Sequence, residues 1–167
     1  MTSETIVRLA TRDDLPELVL IYNHYVENSH ATFDTEPVKV ESRTGWFETF
    51  SEVGPYRLLV ACEGDRVVGC ASSGPYRDHS AFASTVEVGI YLHPEIRARA
   101  IGSALYDALI ENLRASGVHV ALAGIALPND ASVALHRKFG FKDVGVFDEY
   151  ARKNGTYISS LWMQLRL

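Results

Sequence analysis

Apolar positions recur at helical spacing after Thr11: Leu15, Leu18, Val19, Tyr22, Tyr25 and Val26 share one face, which predicts a helix running to about Asn28. Thr11 with Asp14 three residues on resembles a capping box at its start, and Pro16 suits the first turn. Ahead of it, Ile6–Ala10 reads as a strand, and a second helix is predicted over Val40–Phe50. The pattern then changes to short apolar runs. Arg57–Cys62 and Val67–Ser73 predict two strands around Glu63-Gly64-Asp65, a hairpin by its turn residues, and Thr85–Leu92 predicts another. After His93-Pro94, Ile101, Leu105, Ala108, Leu109 and Leu113 trace a helical face that ends at Gly117, a C-cap residue. Val118–Ile125 is the next strand, Asn129–Phe139 a helix stopped by Gly140, and Val144–Phe147 with Tyr157–Leu165 are the closing strands. This order predicts an α/β protein with a mixed sheet and helices on both faces.

Composition narrows the class. The 167 residues, 47% hydrophobic, are the length of one ordinary domain, and no repeat or linker divides them, so residues 1–167 are expected to form a single unit. Cys62 and Cys70 lie in apolar runs without metal-site spacing and read as free thiols of a reducing compartment. The amino-terminal segment has no apolar signal-peptide core, and no apolar stretch reaches membrane-spanning length. These features predict a soluble, cytoplasmic protein without a membrane partner. A formal net charge of -5 argues against nucleic acid as a general partner. His24, His30, His79, His93 and His119 suggest no ligand cluster, so no metal is expected.

The segment Arg97-Ala98-Arg99-Ala100-Ile101-Gly102-Ser103 follows a strand and enters a helix. Its free backbone N–H groups, the positive end of the helix dipole and two arginines suit a pyrophosphate-like anion. Taken alone, the same residues fit a solvated arginine-rich turn equally well. Their context adds to the case. Arg97-x-x-Ala100-x-Gly102 resembles the Arg/Gln-x-x-Gly-x-Gly/Ala motif of the GCN5-related N-acetyltransferases, with Ala100 in place of the usual first glycine. Glu87-Val88-Gly89-Ile90-Tyr91-Leu92-His93-Pro94 is similar to that family's fourth strand. Leu127-Pro128-Asn129-Asp130-Ala131-Ser132, continuing to Phe139-Gly140-Phe141, is similar to its Asn-to-Gly-Phe segment.

Four further stretches narrow the resemblance to phosphinothricin acetyltransferases and their relatives acting on methionine sulfone and sulfoximine. They are Ile21 to Val26, Phe33-Asp34-Thr35-Glu36-Pro37, Gly74-Pro75-Tyr76-Arg77 and Leu127-Pro128-Asn129-Asp130. The likeness covers nearly the whole chain and breaks at Asn154 to Ser160, which departs from a Gly-x-Trp-His-Asp pattern. It implies a mostly antiparallel sheet splayed between strands four and five. Acetyl-CoA would lie in that opening, contacting Ile90, Leu92, Arg97, Arg99, Ala100, Gly102, Ser103, Asn129 and Ser132.

The implied reaction is direct transfer to a small-molecule amine, which must lose its ammonium proton before it can attack the thioester. Glu87, among Val86, Val88 and Ile90, is the expected base, against the alternative of a strand-end carboxylate in solvent. His136 stands where much of the family has a tyrosine that protonates the leaving thiolate, with Tyr106 and Tyr91 as fallback donors. Asn129 is explained by N-capping alone, or by capping together with a cofactor contact. Arg77 offers a fork for an acceptor carboxylate and Phe33 an apolar wall, although a solvated loop arginine and a packed phenylalanine explain them as well. A protein N-terminal or lysine acetyltransferase, and a non-catalytic acyl-CoA-binding module, remain alternatives. A homodimer is a further expectation, with the apolar strand around Trp162 as interface or as core.

Overall fold

A computed structural model describes residues 4–96 and 99–167, apart from the Arg99 side chain. Arg97, Ala98 and the Arg99 guanidinium therefore lie outside the described residues. The strands are β1 (Thr5–Leu9), β2 (Leu58–Glu63), β3 (Arg66–Pro75), β4 (Thr85–Leu92), β5 (Val120–Ala126), β6 (Lys142–Lys153) and β7 (Thr156–Arg166). The helices are α1 (Leu15–Asn28), α2 (Val40–Phe47), α3 (Arg99–Ala115) and α4 (Asp130–Lys138), interleaved in the order the sequence predicts.

The seven strands form one sheet in the order β1-β2-β3-β4-β5-β7-β6. Every pairing is antiparallel except β4 with β5. Strand periodicity divides the sheet's side chains between two layers. Val86 and Val88 of β4, Ala121, Ala123 and Ile125 of β5, and Leu161 and Met163 of β7 pack with Leu105, Leu109 and Leu113 of α3. On the opposite face, Leu18 and Ile21 of α1 pack with Leu58, Val60, Val67 and Cys70, flanked by Trp46 and Phe47 of α2. Each fully buried leucine in these layers contributes about 1.5–3 kcal/mol through removal of apolar surface from water.

Local chemistry explains the element boundaries. Asp14 accepts from the Thr11 backbone N–H at 2.7 Å and pairs with Arg8 at 2.7 and 2.8 Å. The predicted capping box thus closes a 3-10 turn, Arg12–Asp14, immediately ahead of α1. Helix α2 stops at Phe47, short of the expected Phe50, because Thr49 and Phe50 donate to the carbonyls of Trp46 and Phe47 three residues back. Gly117 at φ 72° lets the chain leave α3.

Strand β6 is far longer than the predicted Val144–Phe147. Asn154 and Gly155, at φ 48° and 80°, supply the left-handed pair a tight hairpin needs, and they carry the β6–β7 pairing to Lys153 and Thr156. Strand β7 is interior to the sheet, flanked by β5 and β6. The Trp162 ring lies against Gly124, where an added Cβ would sit 2.9 Å from Trp162 Cζ2. The exposed apolar edge is instead β6, with Val144, Val146, Phe147 and Tyr150 open to solvent.

Candidate active site

Strands β4 and β5 pair only at Thr85–Val120, Val86–Ala121 and Glu87–Leu122, although both run on to Leu92 and Ala126. Beyond Glu87 they separate. The opening is lined by Val88 to Tyr91 from β4, Ala123 to Ala126 from β5, Asn129, Ser132 and His136 from α4, and Ala31. It encloses about 430 Å3, part of it open to solvent. Gly89 on the β4 wall leaves space beside it, where an added Cβ would meet nothing nearer than the Ser72 hydroxyl at 3.7 Å. Unpaired backbone amides and carbonyls of β4 face the opening, as an amide-rich linear ligand requires.

Glu87 sits at the point where the strands part, opposite Gly74 of β3 and on the face away from Val86 and Val88. Its carboxylate has no hydrogen-bond or ion-pair partner among the described residues. Solvent reaches the side chain, yet desolvation by the surrounding protein raises its pKa above the ordinary carboxylate value. Such a carboxylate is a better base than a free glutamate.

Asn129 is the N-cap of α4, its Oδ1 accepting from the Ser132 N–H at 3.2 Å. Its Nδ2 has no partner among the described residues and lies in the cleft wall. His136 is 2% exposed. Its Nδ1 donates to the Ser132 carbonyl at 2.7 Å, which fixes the tautomer, and its Nε2 accepts from the Tyr106 hydroxyl at 2.7 Å. The Tyr106 and Phe141 rings stand edge-on to it at 5.1 and 5.0 Å. Burial lowers the His136 pKa, so the imidazole is neutral near pH 7. Both ring nitrogens are committed, and protonating a leaving thiolate directly would break one of these bonds. The Ser132 hydroxyl lies 3.4 Å from Nδ1, and both residues line the cleft. Tyr106 itself is fully buried and Tyr91 half-buried; desolvation raises both hydroxyl pKa values.

Helix α3 begins at Arg99 beside this cleft, and the amides of its first turn have no intrahelical acceptor. Ala100 lies in regular helix, where a Cβ is tolerated, so its replacement of glycine leaves the amide in place. Gly102 is buried because α4 packs on it: a Cβ there would meet Leu135 Cδ2 at 3.3 Å and Ile90 Cδ1 at 3.7 Å. Lys138, a residue the sequence reading overlooked, brings its ammonium 2.7 Å from the Ser103 hydroxyl at the same helix end. Leu92 falls outside the cleft lining. Its side chain approaches Gly69, and its carbonyl accepts from the Tyr25 hydroxyl at 2.6 Å.

The two residues expected to meet an acceptor, Phe33 and Arg77, lie beside aromatic rings. Phe33 is exposed and stands edge-on to Tyr150 at 5.9 Å. Arg77 is exposed, its guanidinium 5.2 Å from the Tyr76 ring centre, and Tyr76 meets Trp162 at 6.3 Å. The Trp162 Nε1 is a buried donor with no partner among the described residues. The loop carrying Phe33 is anchored by Lys153, which sequence reasoning missed. Its buried ammonium donates to the carbonyls of Ser29 at 2.7 Å and Thr32 at 2.8 Å, at the negative end of α1. Tyr22 adds bonds to Thr32 at 2.7 Å and Asp34 at 2.5 Å. Among the described residues no group of three or more His, Cys, Asp or Glu side chains could hold a metal.

Comparison with known proteins agrees with this architecture. Residues 18–141 match the Acetyltransferase (GNAT) family. The chain is 45% identical over 165 residues to a phosphinothricin N-acetyltransferase of Streptomyces coelicolor, covering 98% of this chain and 96% of that one. It is 38% identical over 162 residues to an L-methionine sulfoximine/L-methionine sulfone acetyltransferase of Pseudomonas aeruginosa, covering 96% and 94%. A phosphinothricin acetyltransferase structure from Sinorhizobium meliloti in complex with AcCoA superposes with a TM-score of 0.92 at 32% identity, over 100% of this chain and 89% of that one. The chain belongs to the GNAT acetyltransferase family and is an N-acetyltransferase.

Proposed function

We propose that this enzyme moves the acetyl group of acetyl-CoA to the primary amine of a small amino-acid-like acceptor of the methionine sulfone, methionine sulfoximine or phosphinothricin type. The observation that carries this reading is the β4–β5 opening, which puts an unpartnered carboxylate, Glu87, where the strands part. The named relatives support the acceptor class.

In the proposed reaction the pantetheine arm lies in the opening against Gly89 and Ile90, and the diphosphate lies at the α3 amides with Arg97, Arg99, Ala100, Gly102 and Ser103. The Asn129 Nδ2 hydrogen-bonds the arm from α4. Glu87 accepts the ammonium proton, through water where the distance requires it. The free amine then attacks the thioester carbonyl, an amide C–N bond forms as the nitrogen's second proton passes to water in the cleft, and the C–S bond breaks. CoA leaves as a thiolate that accepts a hydrogen bond from the Ser132 hydroxyl and takes its proton from water in the open cleft. His136 acts here as a positioning residue for Ser132, which revises the donor role expected of it: a neutral imidazole with both nitrogens bonded is a poor acid. Arg77 pairs with the acceptor carboxylate and Phe33 closes the pocket. A reducing, cytoplasmic setting suits the two buried free thiols, and exposed β6 is the face proposed for a homodimer.

The test is release of CoA thiol from acetyl-CoA with a panel of amino acids, their methyl esters and short peptides. Free amino acids are expected to be acetylated at the α-amine, and their esters at least tenfold less efficiently because the Arg77 pair is lost. Equal rates on acid and ester would remove the amino-acid reading, and a preference for peptides would favour an acetyltransferase of protein N-termini.

A further inference from the structure

A second cavity lies between the sheet and helices α1 and α2, on the Tyr91 and Cys70 face, and the mechanism above makes no use of it. It encloses about 420 Å3, counting space open to solvent, and Leu18, Val19, Trp46 and Leu58 make its walls largely apolar. Beside the Tyr22 and Tyr91 rings and the Cys70 thiol, Arg43 and Ser72 bring polar side chains to the lining. The Arg43 guanidinium lies 4.7 Å from the Tyr22 ring centre and 4.2 Å from that of Trp46. Among the described residues it has no ion pair and donates no hydrogen bond. Stacking on two rings fixes the plane of the guanidinium and leaves its N–H fork unspent. A half-buried cation with unused donors in apolar surroundings gains most when an oxygen-bearing ligand arrives.

The cavity adjoins the cofactor cleft. Tyr91 lines both, and the Ser72 hydroxyl lies 3.7 Å from the position a Cβ on Gly89 would take. Along β3, Cys70 and Ser72 run from Gly74, the partner of Glu87, toward Arg43, while Arg77 follows Pro75 in the opposite direction. Along β3, the Arg43 cavity thus lies toward one end from Glu87 and Gly89, and the segment carrying Arg77 toward the other.

We infer that the Arg43 cavity receives the side-chain terminus of the acceptor and is built for a methyl-bearing oxo group: a sulfone, a sulfoximine or a phosphinate. The methyl packs on Leu18, Val19 and Leu58, while the oxygens take hydrogen bonds from Arg43 and Ser72. This rests on the amino-acid reading above, with Arg77 holding the α-carboxylate at the other end. Arg43 is thereby a specificity-determining residue, one that methionine, with its bare thioether, leaves unused.

The test compares steady-state efficiencies of the full-length enzyme with acetyl-CoA on methionine, methionine sulfone and phosphinothricin, which share one α-end. Arg43→Met should lower the sulfone-to-methionine ratio by about tenfold to a hundredfold, the usual effect of losing a charged hydrogen bond. Arg43→Lys should keep part of it, and Ser72→Ala should lower it several-fold. Should Arg43→Met fail to fold, as judged by thermal denaturation, Ser72→Ala carries the test with the ring stack intact. A proportional loss on all three acceptors, or a variant that loses acid-over-ester discrimination in place of the oxo preference, would overturn the assignment. A wild-type enzyme that acetylates amino acids without favouring the oxo compounds overturns it too and leaves the proposed function standing. One that acetylates no amino acid brings down both.

Discussion

Removing a single oxygen, Tyr106→Phe, tests the account of His136 most directly. The Tyr106 side chain is 1% exposed and its hydroxyl donates to His136 Nε2 at 2.7 Å. The phenylalanine retains the ring contacts with Phe139 and Phe141, so almost nothing but this hydrogen bond changes. It leaves the Nε2 acceptor buried without a partner, which costs about 1–3 kcal/mol. For a chain of this size each kcal/mol lowers Tm by about 2–4 °C, giving a fall of about 2–12 °C. Urea unfolding near pH 8 measures the loss. The same assay repeated at lower pH reads the titration of His136. Its folded pKa lies below the ordinary 6.5, so the unfolded chain binds the proton more tightly. The stability contribution is therefore complete above about pH 6.5 and is lost as the pH falls toward the folded value. His136→Gln does not titrate, and the wild-type decrement in that window should shrink in it. A Tyr106→Phe loss below about 0.5 kcal/mol, the range of ordinary surface substitutions, would refute the buried bond. An unchanged pH decrement in His136→Gln would refute the buried neutral imidazole.

Glu87→Gln should reduce turnover by roughly a hundredfold while acetyl-CoA affinity, measured by calorimetry, stays similar, since the amide is nearly isosteric but cannot take the proton. In the wild type the acidic limb of kcat/KM should lie above that of an ordinary glutamate, with activity lost as pH falls through the raised Glu87 pKa. Lys153→Met should remove about 2–4 kcal/mol of stability by leaving the Ser29 and Thr32 carbonyls unpaired. Protease sensitivity should increase at the loop carrying Phe33. Lys138→Glu should weaken acetyl-CoA binding by about tenfold at low salt and less at high salt, as expected for a cation beside the diphosphate. A salt-independent loss would assign Lys138 to structure instead.

The sequence predicts the order of elements because most of them bury one face, and burial writes itself into the pattern as spacing. Helix α3 is legible from Ile101, Leu105, Leu109 and Leu113, all of which meet the sheet. Strand β6 is not, because Lys142 to Tyr150 are exposed on both faces and shifts of register at Asp143/Gly145 and Phe147/Ala151 break any alternation. The Asn154-Gly155 turn was the signal that could have extended it. Lys153 is illegible for a different reason. Nothing near it in sequence suggests burial, and its acceptors, Ser29 and Thr32, come from more than a hundred residues away.

Site residues divide along the same line. Glu87, Asn129 and Ser132 could be proposed from sequence because each belongs to a continuous motif, and the structure adds only what the motif cannot state: that the carboxylate has no partner and that the Asn129 oxygen is spent on its cap. His136 shows the limit of a motif. Its place in α4 suggests a donor, but donor capacity depends on a proton that Tyr106, thirty residues earlier on another helix, helps to fix. Arg43 has no motif of its own, lying on a short helix none of whose residues is fully buried. Its chemistry arises only when α1, α2 and β3 close around it and leave a cation without an anion. Glu87, Asn129 and Ser132 are thus legible along the chain, whereas the surroundings of Arg43 exist only once the fold brings α1, α2 and β3 together.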